Sequence, residues 1–215
     1  MKYSFFDSIR SRRCRQLSVA ELMDVMRSER VVNTCRQIAA GMEAGDDAGV
    51  ARLKESLPVV VLNRLYRQGE GRSKLGGTPT GAVMIDYDGL DAPALEAMVK
   101  GLTGLCITQA FCKEHVLAAH LSVRRHGLHV WFRWPEGCRS VAECQQRFAR
   151  ETGFEGYDES CKDGSRCSFL VPLDYFFIQN FGSMERNEEY ARVQADHEGS
   201  DGSDGSDGSD GSDGS

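Results

Sequence analysis

The dipeptide Leu57-Pro58 divides the chain into two kinds of hydrophobic pattern. Proline lacks the amide hydrogen that a helix interior needs, and its ring disfavours helical backbone in the residue before it, so no helix runs through this point. Ahead of it, apolar residues recur at helical spacing. Leu17 to Arg27 sets Leu17, Val19, Ala20, Leu22 and Met23 on helix-compatible positions, with Ser18 as a cap ahead of Glu21. A second helix is predicted from Ser28 to Met42 and a third from Asp46 to Ser56.

Beyond Pro58 the apolar runs shorten to strand length. Val59 to Leu62 and Gly81 to Asp86 read as strands, separated by a Gly-, Arg- and Lys-rich loop from Arg64 to Gly77 whose composition suits a place near phosphate. A helix is predicted over Ala92 to Leu102 and a short strand over Thr108 to Phe111. Val116 to Ser122 and Leu128 to Trp134 form a hairpin turned by Arg124-Arg125-His126-Gly127, followed by a helix from Val141 to Glu151 and a strand around Ser168 to Val171. This order predicts an α+β fold: an RRM-like (split βαβ), mainly antiparallel sheet with helices packed on one side, preceded by an N-terminal helical segment.

The 215 residues suit one domain, and the apolar runs, such as Val59 to Leu62 and Leu117 to Ala119, are far too short for a bilayer. The N-terminus MKYSFFDSIRSRR has no apolar signal core, so a soluble, cytoplasmic protein with no membrane partner is expected. The net charge of −6 conceals an uneven distribution: residues 196–215 hold seven acids and no Lys or Arg, so the rest carries 26 bases against 25 acids. A nearly neutral body can still gather its bases in one groove, so a nucleic-acid partner is not excluded. Residues 200–215 repeat Ser-Asp-Gly without an apolar side chain and are expected to be a disordered tail. The eight cysteines read as reduced thiols. Cys106/Cys112, Cys138/Cys144 and Cys161/Cys167 are spaced too widely for the short knuckle of structural zinc, so no zinc site is expected.

Three segments could carry chemistry. In Ala82-Val-Met-Ile-Asp86-Tyr-Asp88-Gly89, an apolar strand ends in alternating acids, and side chains two apart in a strand share a face. Carboxylates so close repel one another unless a cation lies between them, and hard oxygen ligands suit Mg²⁺ or Mn²⁺; acids that merely cap a strand end are the alternative. In Ser122-Val-Arg124-Arg125-His126-Gly-Leu-His129-Val-Trp131-Phe132, alternation puts His129 and Trp131 opposite the apolar pair Val130 and Phe132. His129 is thus expected on an open sheet surface beside two arginines able to bind phosphate, the alternative being a surface hairpin with a basic tip. In Gly156-Tyr157-Asp158-Glu-Ser-Cys161-Lys162-Asp163-Gly-Ser-Arg166-Cys-Ser-Phe169, Asp158 could complete a carboxylate triad, with Lys162 and Arg166 as cations for triphosphate oxygens; alone, the segment equally resembles an ordinary charged loop.

In this order the three segments resemble the archaeo-eukaryotic primase (primase-polymerase) superfamily, marked by a hydrophobic strand ending Asp-x-Asp, a Ser-to-His hairpin often containing Arg-Arg-x-Gly-x-His, and a later hydrophobic-Asp. Lys54-x-x-Leu57-Pro58 and the run Cys161 to Phe169 make the chain most similar to the VirE N-terminal-like primase domain of bacterial mobile elements, over about residues 5–180. The resemblance implies a primase-like core over 58–182, a helical segment over 1–57 belonging to the same domain, and an extension over 183–199. It implies that Asp86, Asp88 and Asp158 hold Mg²⁺ or Mn²⁺ and that His129 contacts the incoming nucleotide. Ser122, Arg124, Arg125, Lys162 and Arg166 would complete the nucleotide-binding set. The implied activity is metal-dependent, template-directed nucleotide addition, with single-stranded DNA and nucleoside triphosphates as partners and a separate helicase as a further one. Val123 departs from the small glycine common at that place, His126 has no family role, and no zinc module or helicase region is evident. Two other functions stay open. One is a non-catalytic single-stranded nucleic-acid-binding module. The other is a rolling-circle replication nuclease with Tyr157 as nucleophile, although His126 and His129, three apart, cannot share one face of a strand.

Overall fold

A computed structural model of the chain describes residues 1–73 and 76–199. The expected disordered tail over 200–215 lies outside the described residues.

The chain opens with two strands, β1 (Lys2–Phe6) and β2 (Arg15–Ser18), before helices α1 (Val19–Arg27), α2 (Glu29–Glu43) and α3 (Asp47–Ser56). The three helices lie where the apolar spacing puts them, and Ser18 with Glu21 forms the expected capping box. The expectation of a purely helical N-terminal segment is corrected. Lys2-Tyr3-Ser4-Phe5 alternates polar and apolar, but the strand is only five residues long, the alternation breaks at Phe6, and Ser4 is buried along with Tyr3, Phe5 and Phe6, too short a pattern to set a period. Strand β3 (Val59–Val61) follows the proline, then the short pair β4 (Arg64–Leu65) and β5 (Thr78–Pro79), and then β6 (Ala82–Tyr87).

Helix α4 (Ala92–Thr108) runs beyond its expected end at Leu102, and the residues expected as a short strand over Thr108 to Phe111 are instead the end of α4, Gln109 and the start of α5 (Ala110–His115). Gln109 joins the two helices: its amide donates to Leu105 O at 2.8 Å and its side chain to Glu151 O at 2.6 Å. The hairpin strands are β7 (Val116–Leu121) and β8 (Leu128–Arg133), followed by α6 (Val141–Thr152), β9 (Cys167–Phe169), β10 (Phe176–Gln179), α7 (Phe181–Met184) and α8 (Glu188–Gly199).

The strands form two four-stranded antiparallel sheets, β2-β1-β3-β9 and β10-β7-β8-β6. The fold is therefore α+β with antiparallel sheets, as expected, but the strand order is not that of a split βαβ sheet. There the last strand lies beside the first, whereas β10 pairs with β7 and leaves β6 at the edge. The strand expected around Ser168 joins the N-terminal sheet, with Ser168 opposite Val60.

Both faces of the second sheet are buried. Val83, Ile85, Val130 and Phe132 pack into one core with residues of α4, α5 and α6, including Leu102, Cys112 and Phe148. Met84, Ala118, Trp131 and Phe176 on the other face share a core with Tyr3, Phe5 and Val60 of the first sheet and with α1 to α3. The extension after residue 182 is docked as well: the Asn187 side chain donates to Thr80 O at 2.8 Å, and Gln194 Oε1 accepts from the Gly81 amide at 3.1 Å. Among the described residues, no helix is long and apolar enough to cross a membrane.

Candidate functional site

Strand register sets a row of three polar side chains across the buried face of the second sheet. Asp86 of β6 lies opposite His129 of β8, and His129 lies opposite His120 of β7. His129 Nε2 stands 3.1 Å from Asp86 Oδ1, and the two imidazole rings are 5.0 Å apart between centroids. The expectation that His129 lies on an open surface is corrected: it is 7% exposed and Trp131 is fully buried, because the first sheet covers this face.

Ser168 of the first sheet ties the row together. Its hydroxyl lies 3.3 Å from His120 Nε2 and 3.3 Å from His129 Nδ1, and accepts the Trp131 indole N–H at 3.2 Å. The proton positions follow from the partners. His120 Nδ1 faces the Leu121 carbonyl at 2.8 Å and must donate to it. Burial, reinforced by the neighbouring His129, holds the His120 pKa well below the ordinary histidine value. The neutral His120 ring therefore accepts the single Ser168 proton at Nε2, and His129 Nδ1 donates to Ser168 in turn. His129 Nε2 is then the ring nitrogen that faces Asp86. Asp86 is 4% exposed, and its Oδ1 has no polar neighbour within hydrogen-bond distance other than His129 Nε2. A buried carboxylate beside a second carboxylate is an arrangement that a bound cation relieves.

The second carboxylate arrives along the open edge of β6. The Asp158 amide donates to Asp86 O at 2.8 Å, in the manner of an added strand, and the chain then turns through a 3₁₀ helix at Glu159–Cys161. The Gln145 side chain anchors this turn from α6, donating to Met84 O at 2.9 Å and Cys161 O at 3.0 Å. The Cys161 thiol donates to Asp158 Oδ2 at 2.9 Å, and the Ser160 amide to Oδ1 at 2.9 Å. The thiol bond, followed by those from Ser160 and a smaller effect of Arg166, holds the Asp158 carboxyl below its usual range. Burial first, then Asp158, pushes the Cys161 thiol up to about 12. Ligand atoms of Asp86, Asp158 and Cys161 lie within 4.8 Å of one another. Asp88 is not in that group: it is exposed and stands at the rim.

The hairpin turn is docked against this corner. The Leu90 amide donates to His126 O at 2.8 Å, and a Cβ on Gly127 would meet Tyr87 O at 2.1 Å, so only glycine permits the approach. A cleft of about 710 Å³ opens beside it, lined by Asp86, Asp88, Ser122, Arg124, His129 and Arg166 among others. Six of the nine residues named from sequence thus share one cavity wall, and Asp158 joins them through Asp86 and through Arg166, whose Nη2 is 3.7 Å from Asp158 Oδ2.

Two of the nine are not brought there. Arg125, in left-handed backbone at φ 58°, turns away and places its guanidinium 4.4 Å over the Tyr175 ring. Lys162 is exposed and does not line the cleft. His126 does line it, from the turn rather than from a strand.

Sequence reasoning missed His120, Ser168 and the role of Cys161, and reached Arg72 only as part of the Arg64 to Gly77 loop expected near phosphate. Arg72 lines the cleft with its guanidinium pinned by the Ile9 carbonyl at 2.6 Å and the Cys167 sulfur, 5.4 Å over the Phe6 ring. His120 had a legible signal, since it falls on the alternate positions of its strand that include Ala118; Ser168 had none, because its partners belong to another sheet. Lys54, used only as a family marker, also lines the cleft, 5.1 Å over the Phe169 ring. Searches against protein-family models, curated proteins and solved structures find no match to the chain.

Proposed function

We propose that the chain is a primase-polymerase-type nucleotidyltransferase that adds nucleotides to a strand in a metal-dependent, template-directed reaction. One observation carries the proposal: a buried Asp86, with His129 facing its Oδ1, stands beside Asp158, in a cleft also lined by Lys54, Arg72, Arg124 and Arg166. Carboxylates and cations lining one cavity match a metal-bound triphosphate, which presents a cation to the acids and phosphate oxygens to the bases. The volume of about 710 Å³ falls in the usual range for small-molecule sites.

Asp86 and Asp158 would hold the divalent cation, with Asp88 at the rim. The donor set fits Mg²⁺ or Mn²⁺ in its two carboxylates, and the thiol of Cys161 beside them favours the softer Mn²⁺ of the two. The cation would neutralise charge developing on the transferred phosphate. Arg124 and Arg166 bind the outer phosphates, and Arg72, held in place by its other contacts, presents a fixed charge. The Ser122 hydroxyl is available to a phosphate or sugar oxygen. His129, oriented from behind by Ser168, holds its Nε2 side toward the reacting group. Catalysis of this type is mostly positioning and charge neutralisation.

The β-α-β-β-α-β succession of the second sheet supports the superfamily resemblance, as the succession of an RRM-like core with its last strand on the other edge. Single-stranded DNA and nucleoside triphosphates are the partners of the proposed reaction. A helicase partner and a cytoplasmic, mobile-element setting extend the same resemblance.

The test is incorporation of labelled dNTP or NTP on primed and unprimed single strands with Mg²⁺ or Mn²⁺. Wild type is expected to extend or initiate, and Asp86→Ala to be inactive while still folded. No product from wild type under any of these conditions, with strand binding intact and unaffected by Asp86→Ala, would establish the non-catalytic binding module instead.

A further inference from the structure

The loop between β1 and β2 and the segment after β4 together carry an unusual share of the arginines. Arg10, Arg12 and Arg13 lie on the first and Arg67 and Arg72 on the second. Arg10 is ion-paired with Glu55, and Arg72 is anchored as described. Arg12, Arg13 and Arg67 are exposed and have no acidic partner among the described residues.

These charges are not on loose chain. The Cys14 amide donates to Glu70 O at 2.8 Å and the Gly69 amide to Cys14 O at 2.9 Å, so the two segments are bonded to each other. The Gln16 side chain adds a bond to Tyr66 O at 2.8 Å, and its backbone amide one to Gln68 Oε1 at 3.1 Å. A cavity of about 410 Å³ lies between them, lined by Arg10, Arg12 and Arg72, and it shares Ile9, Arg72 and Ser165 with the large cleft. Through Arg10, Arg12 and Arg72 this basic surface therefore adjoins the cavity that contains Asp86.

We propose that this surface, Arg12-Arg13 with Arg67 and Arg72, binds the phosphate backbone of a single-stranded nucleic acid and guides it into the cleft. The direction of the strand rests on the function proposed above; the binding itself rests on the charge and its continuity. Exposed guanidinium groups on a hydrogen-bonded backbone frame can take up phosphate contacts, and a polyanion bound to them releases counterions, so affinity must fall with salt. The acids at the inner end give the track polarity, since a phosphate reaching Asp86 and Asp158 needs a cation to be tolerated.

The experiment is fluorescence anisotropy of labelled oligo(dT), with EDTA present, over a series of salt concentrations. It compares wild type, the triple variant Arg12→Ala, Arg13→Ala, Arg67→Ala, and a control triple variant Arg36→Ala, Arg139→Ala, Arg150→Ala. The controls are exposed on α2, before α6 and on α6, and remove the same charge. Each phosphate contact of a single strand contributes about 0.7 to the slope of log K against log salt, so the first triple is expected to flatten the slope by about 2. The control is expected to keep the wild-type slope. Equal flattening in both triples, or none in the first, overturns the proposal. A flattened slope in the first triple together with a wild type that incorporates no nucleotide keeps the binding surface and removes the catalytic function. An active wild type with an unchanged slope in the first triple does the reverse.

Discussion

The amide of Asp158 donates a 2.8 Å hydrogen bond to the carbonyl of Asp86, which fixes two distant carboxylates side by side through their main chains. The bond exists because β6 is an edge strand, with backbone acceptors free for a passing loop. The site is thus assembled by sheet topology, and the side chains need only extend into the cleft.

Asp86→Asn is expected to remove the response of stability to metal. A cation at about a hundred times its Kd stabilises the folded state by about 2.7 kcal/mol, which for a chain of this size raises the melting temperature by roughly 5–10 °C. Thermal unfolding with and without MnCl₂ measures this: wild type should shift and Asp86→Asn should not. An equal shift in both proteins would place the cation elsewhere.

Ser168→Ala is expected to destabilise the fold by about 2–4 kcal/mol, because the Trp131 N–H loses its acceptor and His120 Nε2 its donor inside the core, each an unsatisfied buried group. Urea unfolding reads the loss. A change within about 0.5 kcal/mol, typical of an exposed surface substitution, would show that Ser168 does not organise the row.

His120 makes stability depend on pH. Its folded pKa lies well below the unfolded value of 6.5, so below that pH the unfolded chain binds a proton that the folded chain does not. Stability from this group is therefore complete above about pH 6.5 and falls with acidification, by up to about 1.4 kcal/mol per pH unit. Denaturant unfolding between pH 7.5 and pH 5 should give a flatter profile for His120→Gln than for wild type.

Asp158 acts in a lower window. Its folded pKa is depressed below the ordinary 3.8, so its contribution is present above that value and is lost as pH falls through the folded pKa. Cys161→Ala removes the largest cause of the depression, and the Asp158 carboxyl should titrate closer to 3.8, as read by carbon NMR of the side chain. An unmoved titration would show that the thiol bond does not hold the carboxylate.

Gly127→Ala is expected to weaken the fold by about 1–3 kcal/mol, the cost of forcing extra bulk into a packed contact, since its Cβ would collide with the Tyr87 carbonyl. The displaced hairpin would carry His129 away from Asp86, so incorporation should fall more than stability does. Activity that simply tracks the folded fraction would count against this coupling.

The helices before Pro58, the apolar strand ending in Asp86 and the hairpin carrying His129 were legible because each is a local pattern: helical spacing, a two-residue period, a turn of suitable residues. What lay out of reach depended on pairing between distant segments. Strand β1 is buried on both faces and its alternation spans only four residues, and without it nothing indicated that His129 faces a second sheet rather than solvent. Arg124 and Arg125 are neighbours in an equally basic turn, yet one lines the cleft and the other lies over Tyr175, a difference made by one left-handed backbone angle. The sequence by itself determined which side chains alternate on each strand and where helices must stop, since those are properties of adjacent residues. Only the tertiary structure decided that β10 sits beside β7, that β6 keeps an open edge for Asp158, and that Ser168 reaches across to both histidines. Hydrogen bonds between strands are indifferent to residue type, so partner and edge are chosen by the packing of the whole core.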